Sequence, residues 1–325
     1  MRKVVKIVVL DGWTLNPGDL SWAALGECGQ LTVYDRTAEN QVVERCMEAE
    51  VVLTNKTPLT AATFEALPAL QYVGVLATGC NVVDLKAAAR RGIPVCNAAS
   101  YSNASVAQMV FGFLLHFAHQ IALHSQSVHA GEWGRCEDFC YWKAEQVELE
   151  GKTLGIYGLG QIGERVARLG LAFGMRIIAY TRDPSRPAPG GVEWVDRERL
   201  FKESDYLSLH CPLTEETHHL INARHLSLMK PGAVLINTGR GGLVDEVALA
   251  ESLQSGHLGG AGLDVLDREP PRYPCPLVGV QNCVITPHVA WASRASRQRL
   301  MDITVANLRA WQAGGLRNDV TASLR

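Results

Sequence analysis

Residues 158–163 read Gly-Leu-Gly-Gln-Ile-Gly, directly after an apolar run at 154–157 and before a helix-like stretch opening near Glu164. In that setting each glycine has its own task. Gly158 makes the tight turn, Gly160 lets backbone approach a pyrophosphate, and Gly163 allows close packing of helix on strand. The N–H groups at the helix start, around Gln161 and Ile162, then hold the anion. The pattern points to a bound dinucleotide. A second apolar run, 176–180, ends about twenty residues on, where a cofactor with a free ribose meets an Asp or Glu. This chain has Thr181 and Arg182 there. Threonine supplies no carboxylate, and a guanidinium can fork onto a 2′-phosphate, which favours NADP(H) while leaving NAD(H) open. The alternative has Asp183 or a backbone group at the ribose and Arg182 in solvent.

Three further residues stand just beyond predicted strand ends in the second half: Arg240, Glu269 and His288. Open parallel sheets place their ligands at such ends. Together the three suit hydride transfer between a nicotinamide and a 2-oxo acid. Reduction puts negative charge on the carbonyl oxygen, and imidazole is the side chain best matched to deliver a proton near neutral pH, so His288 is the candidate acid. A carboxylate on its other ring nitrogen, Glu269, would fix the tautomer and favour the protonated ring. Arg240 can fork onto a substrate carboxylate and polarise the carbonyl. Each has a plain reading too: a turn histidine after Thr286-Pro287, a solvated acid before Pro270, an arginine capping a glycine loop. His116, His119 and His124 fall close together, but without a carboxylate partner they read as core histidines, and no metal is expected.

These groups need strands to carry them. Apolar runs at 4–10, 31–34, 51–54, 72–76 and 93–96 alternate with helical spacers, and a second series follows at 154–157, 176–180, 206–209, 233–237, 260–265 and 284–286. Strands apolar on both faces and separated by helices imply parallel sheets covered on both sides, hence two α/β domains. Residues 105–130 read as one buried helix crossing between them. A last helix at 293–312 could return to the first domain, making the second an insertion.

Composition agrees with a globular chain. Of 325 residues, 47% are apolar and 20% charged, with a net charge of -2. That balance excludes bulk disorder and a polybasic nucleic-acid surface. The longest apolar stretch is too short for a membrane span, and the first residues do not make a signal-peptide core. Nine cysteines without a Cys-x-x-Cys pair read as reduced thiols, so a cytoplasmic location is expected.

The segments Asn237-Thr238-Gly239-Arg240-Gly241-Gly242-Leu243-Val244-Asp245-Glu246, Gly262-Leu263-Asp264-Val265 through Glu269-Pro270, and Thr286-Pro287-His288-Val289-Ala290 resemble the signatures of the D-isomer-specific 2-hydroxyacid dehydrogenases. The resemblance implies that Arg240, Glu269 and His288 are the catalytic set. It further implies a Rossmann-type cofactor domain at 99–289 inserted into a flavodoxin-like substrate domain at 1–98 and 290–325, and a homodimer joined through the cofactor domain. It places Cys211 and Pro212 by the adenosine, and Thr238, beside Gly239, and Asp264 toward the ribose and nicotinamide amide. In the first half, Leu10-Asp11-Gly12, Thr54-Asn55-Lys56-Thr57-Pro58-Leu59 and Leu76-Ala77-Thr78-Gly79-Cys80-Asn81 resemble the bacterial glycerate dehydrogenase (hydroxypyruvate reductase) branch. That likeness implies glycerate/hydroxypyruvate, and also glyoxylate, as substrates. It puts the substrate carboxylate on backbone N–H groups at Thr78 and Gly79, a small anion nest, with Lys56 adding positive charge. Cys80 replaces the aromatic residue usual there. The aromatic stretch Phe139 to Trp142 lies where the family's dimer arm reaches toward the neighbouring site, and a plain core-packing segment would look the same. The alternatives are a short phosphoglycerate dehydrogenase and, outside enzymes, an NAD(H)-sensing corepressor-like interaction protein.

Overall fold

The computed structural model describes residues 4–185 and 187–324. They pack as two units, one made of residues up to 102 with those from 292 onward, the other of Asn103–Trp291. The second unit is continuous in sequence; the first is not.

In the first unit, strands β1 (Lys6–Val9), β2 (Gln30–Val33), β3 (Val51–Thr54), β4 (Tyr72–Val75) and β5 (Val95–Cys96) form a sheet of order β2-β1-β3-β4-β5. Every pairing is parallel. This is the flavodoxin-like order, which reverses between β1 and β3. β3 and β4 are buried along their whole length, because valine, leucine and tyrosine supply both faces with apolar side chains. The helix Arg294–Gln312 belongs to this unit. Ser293 caps its start, and its Trp311 ring packs 5.3 Å from that of Tyr72. In its first turn Arg297, nearly buried, forks onto both Asp19 oxygens at 2.7 Å and also donates to Leu15 O. A forked charged pair of this kind fixes geometry as well as contributing energy, and it pins the helix to the loop after β1.

In the second unit, β6 (Thr153–Tyr157), β7 (Arg176–Tyr180), β8 (Val192–Trp194), β9 (Tyr206–Leu209), β10 (Val234–Asn237), β11 (Gly260–Leu263) and β12 (Cys283–Ile285) give the order β12-β11-β10-β9-β6-β7-β8. All are parallel. Alternate residues feed two cores. Leu154, Ile156, Ile177 and Ile236 enter one, while Ile178, Leu207, Leu209, Leu235 and Leu263 enter the other. Two doubly wound parallel sheets are thus present, the second in Rossmann order with its reversal between β6 and β9.

Two expectations need correction. β8 has no counterpart among the expected runs, since it is three residues long with one buried side chain and follows a Pro/Gly-rich loop. Residues 105–130 are not one crossing helix. Gln120 takes a left-handed φ of +48°, splitting the segment into Asn103–His119 and Ile121–His129, bent by 56°. The first of these packs inside the second unit, against the helix Gln161–Ala172 and strands β10 and β11, burying Val110, Phe113 and Leu114. Among the described residues no single helix is long and apolar enough to cross a membrane.

Candidate active site

The glycine loop joins β6 to the helix Gln161–Ala172. Gly158 holds φ +96°, and a Cβ there would meet Cys211 N at 2.8 Å, so the loop after β9 lies directly on the turn. At Gly163 a Cβ would fall 2.5 Å from Gly158 O, so turn and helix touch through bare backbone. Gly160 faces open space instead. As the N-cap it offers no side chain to the first turn of the helix, and the helix dipole makes that end favourable to an anion. Gln161 is steadied by Asn103, whose Nδ2 donates to its Oε1 at 2.7 Å, and Ile162 is half-buried.

At the end of β10, Thr238 is buried, and its hydroxyl has no partner among the described residues. An unmet buried hydroxyl costs about 1–3 kcal/mol, which a bound molecule would recover. The open face at Gly160, the uncapped helix start and this orphan hydroxyl all fit a nicotinamide dinucleotide. Gly239 follows, its N–H donating to Asn237 Oδ1 at 3.0 Å. On the far side of the loop, burial pushes the Cys211 thiol up to about 11, which keeps it protonated beside exposed Pro212. Thr181 Oγ1 accepts from Asp183 N at 3.3 Å, Arg182 is exposed, and the Asp183 carboxylate is taken up by Ser185 N and its hydroxyl.

Because β10, β11 and β12 are neighbouring parallel strands, the loops that follow them emerge at one sheet edge. They hold one another there. A Cβ on Gly241 would fall 1.9 Å from the carbonyl of Leu266, so the Arg240 loop lies backbone to backbone on the loop that carries Glu269. Glu269 Oε1 accepts from Leu266 N at 3.1 Å, and its Oε2 lies 2.6 Å from His288 Nδ1. Both side chains remain about 30% exposed, at 32% and 28%, and no partner occupies His288 Nε2 among the described residues. Arg240 is exposed, with Nη1 donating to Gly239 O at 2.8 Å, while Asn237 Nδ2 donates to the Arg240 carbonyl at 2.8 Å and shapes the turn. Imidazole backed by carboxylate beside an arginine loop is an arrangement for proton delivery to an oxygen that gains charge.

Asp264, expected toward the ribose and nicotinamide amide, is engaged by its own chain. Only 1% exposed, its carboxylate accepts from Thr286 Oγ1 at 2.6 Å, Val289 N at 2.9 Å and Ala290 N at 2.9 Å, and its carbonyl accepts from His288 N at 2.8 Å. His288 itself has φ +53°, a left-handed conformation that costs a non-glycine residue on the order of 1–3 kcal/mol unless its surroundings enforce it. Asp264 is that enforcement.

In the first unit, the corresponding sheet edge carries the other sequence candidates. Buried Asp11, after β1, accepts from the N–H groups of Asn55, Lys56 and Thr57 at 2.8, 2.6 and 2.8 Å, and so shapes the loop after β3. The Lys56 side chain is exposed at its crest. After β4, Thr78 Oγ1 donates to Ala98 O at 3.0 Å, whereas the backbone N–H groups of Thr78 and Gly79 donate to no acceptor among the described residues. Burial pushes the Cys80 thiol up to about 11, so it too stays neutral.

Residues 111–290 match the model of the D-isomer specific 2-hydroxyacid dehydrogenase NAD binding domain. The chain belongs to that family. A hydroxypyruvate reductase of Blautia hydrogenotrophica is 43% identical over 95% of this chain and 98% of its own. A glycerate dehydrogenase of Methylorubrum extorquens is 40% identical over 89% of this chain and 91% of its own. Among solved structures, an NADPH-dependent glyoxylate/hydroxypyruvate reductase from Sinorhizobium meliloti, in complex with NADP and malonate, superposes with TM-score 0.83 at 31% identity, covering 98% of this chain and 97% of that one. This 2-hydroxyacid dehydrogenase therefore transfers a hydride between a nicotinamide dinucleotide and a 2-hydroxy acid. Two positioning residues of the dehydrogenase, Asn237 behind Arg240 and Asp11 behind Lys56, escape a reading from sequence. An amide or carboxylate at a strand end looks the same whether it faces a ligand or its own backbone.

Asp264→Asn tests the clamp. The amide keeps one acceptor but turns N–H toward N–H at either Val289 or Ala290, so the variant is expected to lose about 1–3 kcal/mol of stability. A lower melting temperature with a reduced kcat checks this, and an unchanged melting temperature removes the clamp from the account.

Proposed function

We propose that the enzyme reduces hydroxypyruvate to D-glycerate, and glyoxylate more slowly, with NADP(H) preferred over NAD(H), and that Arg240, Glu269 and His288 are its catalytic residues. The observation that carries the assignment of roles is the 2.6 Å bond from Glu269 to His288 Nδ1, which commits one ring nitrogen to the protein and leaves Nε2 for a substrate oxygen. The full-length likeness to hydroxypyruvate reductase and glycerate dehydrogenase supports the substrate. The absence of a carboxylate at Thr181 and Arg182 supports the cofactor preference.

The bound cofactor supplies the hydride. Arg240 turns its guanidinium to the substrate carboxylate and carbonyl oxygen, which orients the acid and stabilises the charge that develops on that oxygen. Within the first unit, the N–H groups of Thr78 and Gly79, with Lys56 adding positive potential, are suited to a carboxylate. His288 Nε2–H then passes its proton to the new alkoxide, while Glu269 keeps the ring oriented and its charge compensated. In oxidation the same atoms run in reverse, His288 accepting the hydroxyl proton. The working form is a homodimer, a reading supported by the exposed apolar side chains Ile121, Trp133, Phe139 and Trp142 on one stretch of the second unit, and nine cysteines without a Cys-x-x-Cys pair support a cytoplasmic location.

Purified enzyme is tested against a panel of 2-oxo acids with each reduced cofactor, following loss of nicotinamide absorbance. Hydroxypyruvate should give the highest kcat/KM, and no turnover with any 2-oxo acid ends the reading. Glu269→Gln refines it. The carboxylate at Nδ1 orients the ring and compensates its charge as the proton is delivered, so kcat for reduction should fall while cofactor affinity holds. An unchanged kcat shows that the two residues do not interact in catalysis.

A further inference from the structure

The corner of the sheet where β7 ends carries more positive charge than Arg182 alone. Arg197 opens the helix Arg197–Glu203, and its guanidinium lies 5.4 Å from the Tyr180 ring centre and 5.9 Å from that of Tyr157. Its charge acts on Tyr180, Tyr157 and the Cys211 thiol. Tyr180 is the last residue of β7, with Thr181 and Arg182 directly after it, and Cys211 lies against the glycine loop through Gly158. Arg197 therefore stands between the strand end that reads the ribose and the loop by the adenosine.

Its ion-pairing sets it apart from its neighbours. Arg176 and Arg199 are bound to Glu193 and Glu203, and Lys202 to Glu198. No carboxylate lies within ion-pair distance of Arg197 or Arg182 among the described residues, and the Asp183 carboxylate is engaged by Ser185. A guanidinium braced on two aromatic rings, with Glu216 acting on it only from beyond ion-pair distance, is a preorganised anion binder, because its planar fork is already fixed before the ligand arrives.

We infer that Arg197 is a specificity-determining residue for the cofactor, forming with Arg182 a two-cation site for the ribose 2′-phosphate, with Tyr180 holding its guanidinium in place. The inference rests on the NADP(H) preference proposed above. It assigns Arg197 to the phosphate that distinguishes the two cofactors and to no other part of them.

Binding measured by titration calorimetry, without turnover, tests it. Four probes are used on the intact enzyme: NADPH, NADH, adenosine 2′,5′-bisphosphate and adenosine 5′-monophosphate. The wild type should bind each 2′-phosphorylated probe more tightly than its partner; equal or reversed affinities overturn the cofactor preference and this inference with it. Where the wild-type preference holds, Arg197→Ala should weaken NADPH and the bisphosphate by about 10- to 100-fold, the usual worth of hydrogen bonds to a charged group, while NADH and the monophosphate change little. Equal weakening of all four makes Arg197 a packing residue and overturns the inference while leaving the cofactor preference standing. Arg197→Lys keeps the charge without the fork and should restore part of the loss. Tyr180→Leu removes the ring beneath the guanidinium and should weaken the 2′-phosphorylated probes alone. These two milder variants decide the matter if Arg197→Ala melts below the assay temperature, and an unchanged NADPH affinity in both then counts against the inference.

Discussion

His288→Ala is expected to lower kcat for reduction by about 10² to 10⁴, the span that a positioned general acid supplies. Cofactor affinity should barely change, since the glycine loop and Thr238 belong to other strands. The imidazole is held by its Nδ1 bond to Glu269 and by a left-handed backbone locked through Asp264, so its removal takes away the proton donor and little of the frame. The left-handed φ of +53° calls for a control, because alanine is poorly suited to it. Asparagine tolerates that region better than most residues and has no proton to give at this pH. His288→Asn should therefore match the alanine variant in kcat while keeping more of the wild-type melting temperature. Loss of cofactor binding in parallel with kcat, in both variants, would mark His288 as structural.

The chemistry of this molecule was legible in its sequence where the residue type itself is the signal. Glycine is required where backbone meets backbone, and Gly158 and Gly163 sit where a Cβ would collide. Alternating apolar strands separated by helical spacers predict two parallel sheets, and two are present. What stayed hidden depends on direction rather than type. Asp264 at the end of β11 reads equally well as a cofactor ligand or as a clamp on its own chain, and only coordinates show its oxygens on Val289 and Ala290. Gln120 breaks the 105–130 segment by adopting a left-handed φ, with neither glycine nor proline to announce it. Arg197 reads as a solvated residue at a helix start until its neighbours are seen to be two tyrosine rings. Short strands such as β8 carry too few apolar residues for any period to emerge.

Arg240→Gln is the other large effect, with kcat/KM expected to fall about 10² to 10³, as when a donor is removed from a site of developing negative charge. The argument starts from how the side chain is presented. Gly241, Gly242 and Leu243 are buried, and Arg240 alone of this loop is exposed, its own carbonyl fixed by Asn237 and its neighbour packed on Leu266. A loop so firmly held does not collapse when one exposed side chain is shortened, so stability and cofactor affinity should stay close to wild type. The loss should divide between KM and kcat, because the guanidinium both binds the carboxylate in the ground state and stabilises the oxyanion in the transition state. Arg240→Lys separates charge from shape. Lysine restores a positive point charge without the planar fork, so it should recover KM more than kcat. Full recovery by lysine would show that charge alone matters at this position, and an unaltered kcat/KM in the glutamine variant would remove Arg240 from the catalytic set.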